Sequence, residues 1–431
     1  MSDTDREVIP TVHRSHRDLL RRNTVIVLSF IAAFLCYVDR VNISVAAVVM
    51  QERFSWNTAT KGVVLSSFFI GYLLFQIPSG WLANRWGGKP VLGFAVLWWS
   101  MCTLLTPLSA GLSFATLIAT RIAMGCGEGA MFPSAYGLFK EWVPAAERSR
   151  AVALLLSGVP LGTLFALSTT GWLITRYSWP SAFYAFGATG LLWVLAWFLL
   201  VPGTPAESGT SLADPDRGFK RAGELEEAVP WTRLLTSSAV WALIINHFCS
   251  NWGLYMLLAW LPSYFRDVHD LSITNAGVFS AAPWLTMFVL INLGGWFADR
   301  ILMVRLGLDL TRVRKIMQVS GLLGSAAFLL CAQMVATPAG ALLVMCGAMG
   351  ALALTWSGFG PNHMDIAPRY ADVLMGLSNT AGTIPGVLAV ALTGWLVQSS
   401  GTYASAFILA AMINVLGALV WLWIGTARRV L

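Results

Sequence analysis

Apolar residues run in long uninterrupted blocks separated by short polar intervals, at about 24–50, 61–83, 90–110, 112–138, 150–175, 180–201, 238–265, 274–298, 316–336, 338–362, 371–398 and 402–426. Each block is long enough to cross a hydrocarbon core roughly 30 Å thick as a helix. The pattern predicts twelve membrane-spanning helices. Polar residues concentrate in a tail (1–23), a central stretch (202–237) and a short C-terminal end (427–431), leaving two blocks of six helices at 24–201 and 238–426.

Composition agrees, since 57% of the residues are hydrophobic and only 11% charged, about half the charge of an ordinary soluble domain. The first apolar block is too long and too charged for a cleaved signal peptide, so it is expected to remain as a helix. The six cysteines all fall inside predicted helices without metal spacing. They read as small apolar core residues, and no metal or cofactor is expected.

Lys and Arg fix the orientation. With the N-terminus on one side and twelve crossings, that side collects the tail (Arg6, Arg14, Arg17, Arg21, Arg22), the central stretch and the loops around Arg85, Arg148, Arg300, Arg314 and Arg369. The other side holds only Arg53, Lys61, Arg176 and Arg266. The positive-inside rule therefore places both termini in the cytoplasm. The net charge of +7 follows from this bias toward an anionic leaflet, with no need of a nucleic-acid partner.

Two motifs recur in order. Gly80-Trp81-Leu82-Ala83-Asn84-Arg85 after the second block returns as Gly295-Trp296-Phe297-Ala298-Asp299-Arg300 after the eighth, and Thr170-Gly171-Trp172-Leu173 returns as Thr393-Gly394-Trp395-Leu396. This predicts duplicated, parallel halves with a site at their interface. The basic motifs are candidate gates: Asn84 and Arg85 in one half, Asp299 and Arg300 in the other, latching helix ends when the opposite side is open. The positive-inside bias alone also accounts for them.

Four charges lie inside apolar blocks, where each costs a few kcal/mol and marks a polar pathway. Arg121 and Glu128 are seven residues apart, two turns along one helical face and about 10 Å along the axis. A guanidinium that cannot lose its proton suits a fixed anion anchor. A carboxyl withdrawn from water can take a proton on one side and release it on the other. The alternative is that both are structural partners of charges on other helices. Asp39 and Arg40 are adjacent, about 100° apart around a helix, so neither is the other's best partner. Arg40 is expected to pair with ionised Glu128 and to be freed for substrate when Glu128 is protonated; Asp39 is a second protonatable group or a structural polar contact.

The chain resembles the anion:cation symporters of the major facilitator superfamily. The resemblance runs through Tyr37-Val38-Asp39-Arg40-Val41-Asn42, Gly71-Tyr72, Gln76-Ile77-Pro78-Ser79-Gly80, Arg121, Gly127-Glu128-Gly129, Glu147-Arg148-Ser149-Arg150, Phe248-Cys249-Ser250-Asn251-Trp252-Gly253, Asn362-His363-Met364-Asp365-Ile366-Ala367-Pro368-Arg369-Tyr370 and Ser378-Asn379-Thr380. It implies an all-α membrane protein of the major facilitator fold, two pseudo-symmetric six-helix bundles. It also implies that Asp39 and Glu128 couple to protons, and that Asn379 and the Thr355-Trp356-Ser357 run contact substrate. Tyr37 and Tyr72, the latter ahead of a break at Pro78, add hydroxyls for a polyhydroxylated or carboxylated ligand. His363 reads as structural, and His247 has no metal partner. Ser250, Leu65 and Tyr136 stand where vesicular glutamate transporters carry arginine or histidine, which argues against glutamate.

The expected protein is a proton-coupled symporter of a small organic anion, a sugar acid or other carboxylate, working by alternating access as a monomer. Inorganic phosphate or sodium coupling is the alternative, with a drug exporter or a membrane sensor behind it; no nucleophile and base are placed for an enzyme. The short first loop and the lack of an exposed Asn-x-Ser/Thr sequon favour a bacterial inner membrane.

Overall fold

The computed structural model describes residues 16–143, 145–202 and 230–430. All twelve apolar blocks are helical, because backbone polar groups in lipid must be satisfied within the segment. The helices are α1 (His16–Arg53), α2 (Thr58–Trp86), α3 (Gly88–Leu112), α4 (Phe114–Glu128), α5 (Met131–Trp142), α6 (Ala145–Arg176), α7 (Trp179–Leu200), α8 (Trp231–Thr236), α9 (Ser238–His269), α10 (Ile273–Trp296), α11 (Leu310–Cys331), α12 (Pro338–Gly358), α13 (Asn362–Ile366), α14 (Ala371–Ser400) and α15 (Ala404–Ile424). A π-helical stretch, Phe297–Arg305, prolongs α10.

Among the described residues ten helices are long and apolar enough by themselves to cross a membrane. The other two predicted crossings differ for identifiable reasons. The fourth is divided at Gly129 and Ala130 into α4 and α5, of 15 and 12 residues. The seventh, α9, is 32 residues long but carries Asn246, His247, Ser250 and Asn251 in its first half, which lower its hydropathy. The expected break at Pro78 does not occur: α2 runs through it to Trp86.

Within the N-terminal half α1 packs on α6 and α2 on α4; within the C-terminal half α9 packs on α14 and α11 on α12 and α15. The halves meet through α2 against α14, α6 against α10 and α1 against α9. Among the described residues, hydrogen bonds and ion pairs join the halves at the end opposite the termini. There the Thr58 amide donates to Gln398 Oε1 (2.8 Å), the Thr175 and Thr274 hydroxyls lie 3.1 Å apart, and Arg266 stands 3.8 Å from Glu52. Lys61, fully buried on α2, donates from Nζ to Ser263 Oγ of α9 (3.1 Å), with Asp267 at 3.9 Å and the Trp260 ring centre at 5.0 Å. Tyr403 in turn donates to Asp267 (2.7 Å). This end of the bundle is closed.

Candidate functional site

Two glycines set the site's geometry. A Cβ on Gly125 would come within 2.0 Å of the Phe68 carbonyl oxygen, and one on Gly71 within 1.9 Å of that of Ile122. Small residues at a crossing let helix backbones approach closely in lipid. The contact of α2 with α4 therefore brings Phe68 between the guanidinium groups of Arg40 and Arg121.

Arg40 and Glu128 are buried on facing helices, 4% and 0% exposed. Nε and Nη2 of Arg40 both lie 2.9 Å from Glu128 Oε2. Three rings surround the cation: its central carbon is 4.5 Å from the ring centre of Tyr37, 4.9 Å from Phe68 and 4.8 Å from Tyr72. Away from water such cation–π contacts are worth up to about 2 kcal/mol. The box can hold Arg40 even when its carboxylate is neutralised. Tyr255 of α9, from the other half, stands with its ring centre 4.7 Å from that of Phe69.

Cys36 is not the inert core residue that its apolar surroundings suggest. One helical turn before Arg40, its thiol donates to Glu128 Oε2 (3.1 Å), and Arg40 Nη2 donates to its sulfur (3.7 Å). The contacts of Cys36 and Arg40 with Glu128 all fall on Oε2. The other oxygen, Oε1, is buried without a partner.

Arg121 is 1% exposed, yet among the described residues no carboxylate lies at ion-pair distance from it. Its Nη1 meets only the Met124 thioether (3.1 Å), its Nε has no partner, and its face lies over Phe68 at 5.4 Å. A buried guanidinium so weakly satisfied is costly unless an anion completes it. Arg121 and Arg40 share the wall of a cavity of about 20 Å³, also lined by Ser44, Phe69 and, across the interface, Leu258 and Ala259. That is room for about one water.

Asp39 turns the other way. Its carboxyl, 1% exposed, faces Trp99 and Thr103 of α3, and neither oxygen has a hydrogen-bond partner at bonding distance.

The C-terminal candidates spread over different faces. The Thr355 methyl packs toward Gly321 of α11 and its hydroxyl donates to Leu352 O (2.6 Å). Ser357 sits against Gly294 and Gly295 of α10, while its carbonyl accepts from Arg314 (3.0 Å). Trp356, 41% exposed, has its ring centre 5.9 Å from that of Phe359, tilted by 48°. Asn379 is half-buried on α14, beside Ser378. Ser378 bridges the two histidines, 2.7 Å from His363 Nε2 and 3.1 Å from His247 Nδ1. A second polar layer joins Gln318 to Asn246 (2.9 Å) and Ser250 (3.3 Å), and Arg314 pairs with Asp365 (2.7 Å).

Of the gate candidates, Arg85 is exposed and lies over the Trp81 ring at 5.2 Å, and Asp299 and Arg300 are exposed on the π-helical stretch. The Asn84 side chain falls outside the described residues. Sequence reasoning passed over Cys36, Phe68, Tyr255 and Lys61. Only Lys61 left a signal, as the lone lysine in the first turn after the Asn57 cap, which accepts from the Thr60 amide at 2.7 Å.

The family profile of the Major Facilitator Superfamily matches residues 29–390. A rice protein (Oryza sativa subsp. japonica), "Probable anion transporter 4, chloroplastic", is 44% identical over 95% of this chain and 70% of its own length. Two Arabidopsis thaliana proteins, "Ascorbate transporter, chloroplastic" and "Sodium-dependent phosphate transport protein 1, chloroplastic", are 43% and 41% identical over 95% of this chain and 76% and 80% of theirs. The chain belongs to the anion:cation symporter family of the major facilitator superfamily. Solved structures share the fold at low identity. A bacterial homologue of the human lysosomal transporter Spinster, inward-facing and occupied, superposes with a TM-score of 0.74 at 18% identity, covering 93% of this chain and 96% of that one. A D-xylose-proton symporter gives 0.72 at 18%, covering 94% and 98%. This major facilitator transporter is thus a multi-pass membrane protein and not an enzyme.

Proposed function

We propose that the chain is a proton-coupled symporter of a small organic anion, a sugar acid or other carboxylate. The observation that carries this reading is Arg121: a buried guanidinium with no carboxylate partner among the described residues, across the Phe68 ring from an Arg40 that has one. Arg121 anchors the anion throughout. Arg40 is the second anchor, released from Glu128 when a proton neutralises that carboxylate and held by the rings of Tyr37, Phe68 and Tyr72 until the anion arrives.

The relatives named for ascorbate and for phosphate are both anion carriers, and two forked cations suit either. The aromatic chamber favours an organic anion with hydroxyls, for which Tyr37, Tyr72, Asn379 and Trp356 are candidate contacts, while Thr355 and Ser357 pack toward α11 and α10. Asp39 is a second protonatable group. Sodium-coupled phosphate transport is the alternative that the second Arabidopsis relative supports.

In alternating access the contacts at the closed end, around Lys61, separate as Arg85 and Asn84 approach Asp299 and Arg300 at the other. The arginine bias supports cytoplasmic termini. We place the protein in a bacterial inner membrane, acting as a monomer because both arginines and Glu128 lie within one chain.

The test is uptake by proteoliposomes of ascorbate, other sugar acids, dicarboxylates and inorganic phosphate, with an imposed proton or sodium gradient. Anion accumulation driven by the proton gradient supports the reading. Accumulation driven by sodium alone, or none across the panel, overturns it.

A further inference from the structure

We infer that Cys36 is a positioning residue of the proton-coupling site, holding Glu128 by a thiol hydrogen bond that persists when Arg40 lets go. This deepens the proposed function and rests on the role given there to Glu128.

The geometry separates two kinds of holder on one oxygen. Arg40 reaches Glu128 Oε2 with Nε and Nη2 at 2.9 Å, a charge-assisted contact that weakens when the carboxylate becomes neutral. Cys36 donates its S–H to the same oxygen at 3.1 Å. A thiol is a weak, neutral donor, so its bond depends far less on the charge of its acceptor. Cys36 stands four residues before Arg40, one turn along α1, so both side chains reach α4 from the same face. Oε1 is the open oxygen, buried and without a partner.

The sequence of events balances without any other reactant. A proton forms an O–H bond at Oε1; the carboxylate loses its negative charge; Arg40 keeps its own positive charge and turns to the incoming anion. The Cys36 bond to Oε2 stays and keeps Oε1 aimed where the proton arrived. Release of the anion and of that proton returns Arg40 to Oε2.

Other charged or titratable groups lie close enough to act on the same carboxyl through space, whichever way they point. They are Asp39 on α1, Tyr72 on α2 and Arg121 on α4 itself. None of them donates a hydrogen bond to Glu128 among the described contacts. Cys36 is the neutral donor on it.

Removing that donor withdraws more stabilisation from the ionised carboxylate, the stronger acceptor, than from the protonated acid, so Cys36→Ala should protonate Glu128 at a higher pH than the unchanged protein, by about half a pH unit. Cys36→Ser, which restores a donor of nearly the same size, should bring the midpoint back.

The experiment is infrared difference titration of the purified, lipid-reconstituted transporter. The protonated-carboxyl band of Glu128 is identified by its loss in Glu128→Gln, and no substrate is needed. Proteoliposome uptake of ascorbate under a proton gradient is measured alongside on the same samples. An alkaline shift in Cys36→Ala, reversed in Cys36→Ser, supports the assignment. Coincident midpoints in all three proteins, or equal shifts in both variants, overturn it, because a residue that merely fills space would act through size. Should Glu128 titrate with the predicted shift while no proton-driven anion uptake occurs, the transport reading fails and the Cys36 assignment stands. If each variant loses its fold, the S–H stretching band of the unchanged protein decides: a bonded thiol that changes on titration in step with the Glu128 band supports the assignment, and a free or unresponsive one overturns it.

Discussion

Arg40 and Glu128 meet on one oxygen. Both guanidinium nitrogens that approach the carboxylate lie 2.9 Å from Oε2, and Oε1 is left bare in a buried site. The arrangement ties the availability of a cation on α1 to the protonation of a carboxyl on α4.

Glu128→Gln fixes the site in its neutral form. Counterflow exchange, which needs anion movement but no net proton movement, should persist within a few-fold, while gradient-driven accumulation falls to the level of passive equilibration. Parallel counterflow and uptake assays with the same labelled anion check this. Loss of both activities in a protein that still folds would assign Glu128 a structural role.

Arg121→Lys keeps the charge and removes the fork. A point charge cannot form the paired hydrogen bonds that a planar guanidinium offers a carboxylate. Transport should drop by at least about tenfold, the scale of one charge-assisted hydrogen bond, with unchanged membrane expression. Initial rates across a range of anion concentrations measure it.

The aromatic box separates ring from hydroxyl at Tyr72. Tyr72→Phe retains the face that Arg40 rests on and should cost little unless the hydroxyl binds substrate. Tyr72→Leu removes a cation–π contact and should raise KM by roughly threefold to thirtyfold. Comparing the two variants assigns the residue's contribution.

Lys61 fastens the closed end. Lys61→Met keeps the length and loses the bonds to Ser263 and Asp267, so the population with that end open should rise by roughly tenfold. Pulsed electron paramagnetic resonance between spin labels at Arg53 and Ser399, with the exposed Cys331 replaced, reads the distance between halves. A distribution unchanged from that of the parent would remove Lys61 from the gate.

Gly125→Ala tests the packing that builds the site. A methyl there would press on the Phe68 carbonyl at 2.0 Å, and overpacking of this kind costs about 1–3 kcal/mol. A lower thermal midpoint in detergent is expected, together with weaker anion binding as Phe68 moves.

Much of this was legible in the sequence, and the exceptions have physical causes. Apolar runs placed all twelve crossings, because in lipid length and apolarity nearly dictate the helix. The 100° offset showed that one of Asp39 and Arg40 had to look elsewhere for a partner, and the structure pairs Arg40 with Glu128, the partner expected for it. The division of the fourth crossing was not visible, since Gly127-Glu128-Gly129 is as compatible with a continuous helix as with a broken one. Cys36 was hidden because a thiol in an apolar run looks the same whether it packs or donates. Thr355 and Ser357 illustrate a different limit. A helix apolar on every side gives no periodicity to say which residue faces the pathway, and these two pack toward α11 and α10.

The most direct test follows the proton itself. Anion added outside proteoliposomes, with no imposed gradient and the membrane potential clamped, should make the external medium more alkaline as uptake begins, and Glu128→Gln should abolish that signal while exchange continues. Uptake by the unchanged protein with no movement of protons would contradict the account.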